Sequence, residues 1–237
     1  AIVTLAHLTL PPENPIILAT GGDWRGWMAL GGLAALAFGY RAGVAALRKR
    51  VLARETKEHP SEGFSEAELA RYARHIVLRE LGGPGQMRLK AARVLVIGAG
   101  GLGSPALMYL AAAGVGTIGV VDDDVVSNSN LQRQIIHSDA RIGMPKVFSA
   151  EAAIKALNPY VTVRPYNRRL TQADAANLFT DYDLVLDGTD NFATRSLVNA
   201  AAVATATPLI SAAITQWEGQ ISLFDPAQGA PCYACIF

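Results

Sequence analysis

The stretch VIGAGGLGS, residues 96–104, ends a short β-branched run, RVLVIG, and opens an apolar one of helical character, SPALMYLAAAG. Gly98, Gly100 and Gly103 fit G-x-G-x-x-G, and they do so between a strand and a helix, the context in which that pattern carries weight. Glycines let the backbone come close to phosphate oxygens, while the start of the following helix offers unpaired N–H groups and a partial positive charge. The stretch therefore predicts a phosphate-binding turn within an α/β fold. A redox dinucleotide and ATP fit it equally well, and a tight turn without a ligand is the structural alternative.

Outward from the turn, strands and helices alternate. Ser65 and Glu68 form a capping box ahead of EAELARYARHIVL, whose apolar spacing predicts a helix to about Leu78. Downstream, TIGVVD reads as a strand, KVFSAEAAIKALN as a helix, VTVRPY as a strand and QADAANLF as a helix opened by Thr171. DLVLD then reads as a strand buried on both faces, NFATRSLVNAAAVA as a helix, and PLISAAI and GQISLFD as strands. Such alternation predicts a doubly wound, mainly parallel α/β sheet of Rossmann-like type, with ligands at the carboxyl ends of its strands.

With 237 residues and 51% hydrophobic content, the chain is long enough for one well-buried domain and an appendage. A net charge of +1 gives no reason to expect nucleic acid as a partner. The two cysteines, Cys232 and Cys235, exclude a disulfide framework and fit a reducing compartment. The appendage, residues 1–53, begins with Ala1 rather than Met, so a missing N-terminus is expected. It contains WMALGGLAALAFGYRAGVAAL, residues 27–47, whose only charge is Arg41. As a helix this rises about 31 Å, near the hydrocarbon thickness of a bilayer. Trp24 and Trp27 sit at its N-terminal end and basic residues run from Arg41 to Lys57 at the other, so a span would leave the next domain in the cytoplasm, anchored to the inner membrane. A buried or amphipathic helix is the alternative reading. Residues 54–65 lack apolar periodicity and read as a linker, and the globular domain is expected over 66–237.

The residues after the second strand separate ATP from a redox dinucleotide. Asp122 stands nineteen residues after Gly103, where an acid can accept ribose hydroxyls. Asp123 and Asp124 read as a solvated turn and are given no binding role. SNSNLQRQ then places Ser129, Asn130, Gln132 and Arg133 just beyond the acid, with Lys146 following. Cleavage of a triphosphate needs preplaced cations because negative charge shifts toward pyrophosphate, whereas a redox dinucleotide needs none. Asp190, at the carboxyl edge of the sheet, has an oxygen to offer a hard cation or an N-cap to offer the next helix.

The run GAGGLGSPALMYLAAAGVGTIGVVDDDVVSNSNLQRQIIHSDARIGMPK, with DLVLDGTDNFATR and WEGQISLFD…GAPCYAC, closely resembles the MoeB/ThiF/HesA adenylyltransferases, relatives of the ubiquitin-activating enzymes. The resemblance covers about Glu66 to Phe237 and is greatest to the molybdopterin-synthase adenylyltransferase type. It implies ATP- and magnesium-dependent adenylation of the C-terminal glycine of a small ubiquitin-like sulfur-carrier protein, with release of pyrophosphate, in molybdenum cofactor biosynthesis. A thiamine sulfur carrier and a non-catalytic nucleotide-binding half are the alternatives. By the same resemblance Gly98, Gly100, Gly101 and Gly103 lie against the nucleotide, Asp122 holds its ribose, and Ser129, Asn130, Leu131, Gln132, Arg133 and Lys146 line its phosphates. Asp190 positions magnesium, with Asn191 beside it. Arg74 reaches into the site of a neighbouring subunit, which implies a homodimer. Cys232 and Cys235 match the first half of a Cys₄ structural zinc site; two thiolates leave a tetrahedral ion half coordinated, so the chain is expected to be a fragment. A redox C-x-x-C is set aside because such a pair normally begins a helix. His137 lies in a loop like the family's and is expected only to shape it.

Overall fold

Two units make up the chain, Ala1–Phe64 and Ser65–Phe237. The computed structural model describes residues 5, 9, 11, 13–21, 24–55 and 63–237. In the first unit, α1 (Pro15–Ala19) is capped by the Asn14 side chain, and α2 (Trp24–Glu55) is one helix of 32 residues. The window Met28–Ala45 has a mean hydropathy of 1.3, and none of it is buried. Leu30, Leu33, Leu36 and Phe38 are all exposed and, at 3.6 residues per turn, do not fall on one stripe. The helix outruns the expected 27–47 because nothing breaks it: Arg54 and Glu55, expected in a linker, are good helix formers and complete it. The remainder of that linker lies largely outside the described residues, at 56–62.

The second unit opens with α3 (Glu66–Ile76), whose capping box joins Ser65 and Glu68 in both directions. After it, α4 (Gly82–Ala91) forms from GGPGQMRLKA, a segment whose glycines and proline give little sign of a helix. Tertiary bonds hold it. Gln86 is wholly buried, donates to the Ala113 carbonyl at 2.8 Å and meets His75 Nδ1 at 2.9 Å.

Strand and helix then alternate as β1 (Arg93–Ile97), α5 (Gly103–Ala113), β2 (Thr117–Val121), α6 (Lys146–Leu157), β3 (Thr162–Tyr166), α7 (Gln172–Phe179), β4 (Leu184–Asp187) and α8 (Phe192–Thr205). Two strands, β5 (Leu209–Ile214) and β6 (Gly219–Phe224), and the short α9 (Tyr233–Ile236) complete the unit. The six strands lie in the order β3-β2-β1-β4-β5-β6, and only β6 runs antiparallel. Alternate residues of β1 feed two cores. Val94 and Val96 pack with Leu107, Ala111, Val147 and Ile154 from α5 and α6, while Leu95 and Ile97 pack with Leu178, Phe179, Val198 and Ala202 from α7 and α8. A sheet covered on both faces by crossover helices is the reason its inner strands read as unbroken apolar runs.

Candidate active site

Since β1 is followed across the sheet by β2 and β3 on one side and flanked by β4 on the other, the strand order reverses between β1 and β4. Such a reversal is where a doubly wound sheet leaves a ligand crevice, outside the carboxyl ends of both strands. Gly98 leaves β1 with a φ of 92°, a region that residues carrying a Cβ rarely adopt. A Cβ at Gly103 would collide with the Gly98 carbonyl oxygen, and one at Gly188, just after β4, would lie 3.2 Å from the Gly103 nitrogen. The two loops at the reversal point thus touch backbone to backbone. Leu102 caps α5 with no side-chain bond; Ser104 N–H goes to the Gly100 carbonyl at 2.9 Å and Pro105 has none, so among the described residues the N–H groups of Gly101, Leu102 and Gly103 are the ones left for an anion.

Asp122 follows β2 directly. Its Oδ2 accepts the Ala99 N–H at 2.7 Å and its Oδ1 accepts the Asp124 N–H at 2.8 Å, so this acid locks the glycine turn to the end of β2. A carboxylate has about four acceptor positions, and those left over suit sugar hydroxyls. The Ala99 carbonyl is held as well: Ser104 Oγ donates to it at 3.2 Å and His137 Nε2 at 3.0 Å, while His137 Nδ1 lies 2.9 Å from Ser149 Oγ. A carbonyl can only accept, so the proton sits on Nε2 and Nδ1 is free to accept from Ser149. Burial, above all, pushes His137 below its ordinary range; Lys146 and Arg141 add to this, against the Ala99 bond and Asp122.

The excursion after Asp122 folds back on itself. Val126 exchanges backbone bonds with Gly143 and Met144, and Val125 bridges Pro145, which brings the first residue of α6, Lys146, to Asp124. Lys146 Nζ lies 2.7 Å from Asp124 Oδ2, the lysine side chain only 5% exposed and the aspartate 67%. Reading the three aspartates as a solvated turn misses this, because Asp124 is the counter-ion of Lys146, and Asp123 pairs with Arg169 at 3.2 Å. Within the excursion Asn128–Asn130 makes one 3₁₀ turn; Ser129, Gln132 and Arg133 are exposed, and Asn130 and Leu131 half-buried. Arg133 donates to the Ser129 carbonyl at 3.3 Å, and its Cδ lies 3.6 Å from where a Cβ on Gly101 would stand. The guanidinium stem therefore crosses the glycine turn. Gln134 packs its amide nitrogen 3.8 Å from the corresponding position at Gly100, and its Oε1 is buried without a partner among the described residues.

On the other side of the crevice, Asp187 ends β4 almost fully buried. Its Oδ1 accepts both the N–H and the Oγ–H of Thr189, at 2.9 and 2.6 Å. Arg195, buried on α8, donates to the Thr189 carbonyl, to the Ala212 carbonyl at 2.7 Å and to Ser211 Oγ at 2.9 Å, and lies 3.6 Å from Asp187 Oδ2. Asn191 caps α8 by accepting the Thr194 N–H at 2.9 Å, and so takes the capping role that was open to Asp190. Asp190 is exposed, and among the described residues its carboxylate has no partner. A free carboxylate beside a phosphate-type turn is a donor of the kind magnesium takes, usually through one or two carboxylates.

Gly98, Gly100, Gly101, Gly103, Asp122, Arg133, Lys146 and Asp190 thus stand in the segments that follow β1, β2 and β4, at the carboxyl edge of the sheet. Arg74 is not joined to them: it is exposed on the last turn of α3, and no hydrogen bond or ion pair links it to these residues among those described. Cys232 and Cys235 also stand apart, with their Sγ atoms 3.6 Å apart. Cys232 caps the four-residue α9, so the premise that this pair does not begin a helix is corrected. The cause is packing, since Tyr233 meets Phe224 edge to face and its N–H is held by Asn199 Oδ1 at 2.9 Å. The Asn199 amide, ahead of the Cys235 thiol, lowers Cys232 below the usual thiol range. Two sulfurs at this spacing match one edge of a tetrahedral Zn–S site, about 3.8 Å for Zn–S bonds near 2.3 Å.

Sequence reasoning passed over Asp187, Arg195, Thr189 and Ser211. One signal was present: Arg195 falls at the i−3 and i−4 positions of Val198 and Asn199 on the buried face of α8, and a charge on an apolar stripe needs a buried partner.

The sequence profile of the ThiF family matches residues 72–237. "Probable adenylyltransferase/sulfurtransferase MoeZ" of Mycobacterium tuberculosis is 58% identical over 165 residues, 70% of this chain and 42% of that protein. The molybdopterin-synthase adenylyltransferase of Escherichia coli is 49% identical over 173 residues, 73% of this chain and 70% of that one. Among solved structures, E. coli MccB with ATP matches with a TM-score of 0.63 at 26% identity, covering 70% of this chain and 51% of the other. The chain therefore spans less than half the length of MoeZ.

Proposed function

This chain belongs to the ThiF family, and we propose that it adenylates the C-terminal glycine of a small ubiquitin-like sulfur-carrier protein, using ATP and releasing pyrophosphate, in the formation of molybdenum cofactor. The observation that carries this reading is the meeting, at one crevice, of a glycine turn with an uncapped helix start, a ribose-type acid, two cations and an unpartnered carboxylate. The similarity to the E. coli adenylyltransferase and to the ATP-bound MccB structure supports the same nucleotide and reaction type.

In this reading the carrier's carboxylate, ionised at neutral pH, attacks the α-phosphorus, and pyrophosphate leaves. The enzyme contributes alignment and charge neutralisation and no covalent intermediate. The free amides of the turn at Gly101, Leu102 and Gly103 cradle phosphate, Asp122 holds the ribose, the 129–133 turn lines the phosphates, and Arg133 with Lys146 neutralises the charge that moves onto the leaving group. Asp190, with Asn191 next to it, holds magnesium, whose chemistry is to shield the phosphate oxygens. Gln134 Oε1 gives the turn an acceptor for a further donor.

Three extensions belong to the same proposal. Arg74, exposed and without a bond to its own site, serves the site of a second copy in a homodimer. Cys232 and Cys235 supply half of a structural zinc site. The exposed apolar α2 anchors the enzyme at the cytoplasmic membrane, its catalytic domain in the cytoplasm, and a full-length protein recovered wholly in the soluble fraction would exclude this. The central test is carrier-dependent exchange of labelled pyrophosphate into ATP by the full-length protein. Exchange that disappears in Asp190→Asn is the expected result; ATP binding without any exchange would favour a binding half instead.

A further inference from the structure

We infer that Asp187 and Arg195 act as a clamp that sets the direction in which Asp190 is presented, making both of them positioning residues for the proposed reaction. The inference rests on the function proposed above and adds to it the means by which the magnesium-holding acid is aimed.

Thr189 immediately precedes Asp190, and every polar group it owns is held by this pair. Its N–H and hydroxyl go to Asp187 Oδ1, and its carbonyl accepts from Arg195 Nη2. The Thr189 carbonyl belongs to the peptide plane whose other end is the Asp190 nitrogen. Fixing that carbonyl fixes the plane, and because the peptide is rigid the Cα of Asp190 is oriented from its N-terminal side. From the C-terminal side Asn191 is committed as the cap of α8. Asp190 is thus one exposed residue between two anchored ones, with a carboxylate that has no partner among the described residues.

The cost of this arrangement argues for a purpose. Two charges are buried beside the second core, the Arg195 side chain 7% exposed and that of Asp187 1%, on elements that also give that core Val185 of β4 and Val198 of α8. Well-packed apolar residues of similar volume commonly serve stability as well as a buried ion pair does. The direct approach of the pair is also loose, at 3.6 Å, with Ser211 Oγ standing between at 2.9 Å from Arg195 and 3.4 Å from Asp187. The tightest bonds of Asp187 are made to Thr189, and Arg195 donates to the carbonyl of the same residue. Ala212 and Ser211 on β5 brace the guanidinium from behind, so the loop after β4 is referenced to the neighbouring strand and to α8 together.

Three full-length variants test the clamp. Arg195→Lys keeps the charge but cannot make all the guanidinium bonds; Thr189→Ala leaves both buried charges intact and removes one tether; Asp190→Asn removes the aimed group. In Arg195→Lys, exchange of the amide hydrogens of residues 189–191 should quicken about tenfold while those of 198–202 in α8 stay protected, which a general loss of stability would not produce. Its kcat for pyrophosphate exchange should fall about 100-fold with ATP affinity within about threefold of wild type, the signature of a misaimed group. Thr189→Ala should show the same pattern at about one tenth of the size, and it decides the matter if Arg195→Lys does not fold. Unchanged amide exchange at 189–191, or a kcat that falls only in step with melting temperature and ATP affinity, would overturn the clamp. If wild-type protein exchanges no pyrophosphate, the function proposed above has failed, and the amide measurement still decides whether the loop is clamped.

Discussion

A lysine with 5% of its side chain exposed is stable only because a carboxylate faces it, and Lys146 has Asp124 at 2.7 Å. In the proposed reaction an incoming triphosphate competes with that aspartate for the ammonium. On that proposal Asp124 moderates ATP affinity while holding Lys146 in place, a role its position in a run of three aspartates conceals. Replacing it pulls in two directions. Asp124→Asn should strengthen ATP binding about three- to tenfold in calorimetric titration, since the lysine meets the phosphates uncompensated, and should cost the ligand-free protein about 1 kcal/mol, Asp124 being largely exposed. An ATP affinity equal to wild type would show that the pair does not compete with phosphate. Asp190 presents the opposite case, a carboxylate that nothing in the described chain satisfies, and its exposure was foreseeable only from its place beyond the end of a buried strand.

At the scale of elements, the glycine turn is held by loops far from it in sequence. His137, from the excursion between β2 and α6, and Asp122, from the end of β2, take the carbonyl and the N–H of the same residue, Ala99. Neutral His137 is part of the folded structure, and burial lowers its pKa from 6.5. The unfolded chain therefore takes up a proton that the folded one resists. The contribution of this group to stability is complete above about pH 6.5 and is lost as pH falls from there toward the depressed folded value. Thermal melts at pH 7.5 and 5.5 should show a larger loss in wild type than in His137→Gln, which keeps a donor for Ala99 and does not titrate. Equal losses in the two proteins would remove His137 from the account. The strands and most helices of this region were legible from period and cap alone, as the Ser65–Glu68 box and the Thr171 cap illustrate. The helix Gly82–Ala91 was not, because its stability comes from Gln86 bonding across to Ala113 and His75 rather than from its own residues.

For the whole molecule, the question is whether one copy of the chain holds a complete site. Among the described residues Arg74 has no bond to the site of its own chain, and the proposed dimer gives it a use in the site of another. Two defective proteins should then repair one another. An Arg74→Ala subunit keeps Asp190, and an Asp190→Asn subunit keeps Arg74, so a mixed dimer contains one complete site. Equal mixing with subunit exchange should restore about a quarter of wild-type pyrophosphate exchange, half of the dimers being mixed with one working site each. Mixtures no more active than the separate variants would place Arg74 in its own subunit or outside the reaction.

By itself the sequence determined the α/β class, the six strands, the phosphate-type turn and the residues about it, because these follow from short-range facts: side-chain period, glycines that permit a φ of 92° or close backbone contact, and caps a few residues from what they cap. Tertiary structure alone decided which charges were already engaged. That Lys146 is matched to Asp124, and that Arg195 on α8 grips Thr189 while Ser211 and Ala212 of β5 brace it, depends on distances between segments 6 to 22 residues apart in the chain. Chemical type in the sequence states what a side chain can bond, and only the packed sheet states what is within its reach.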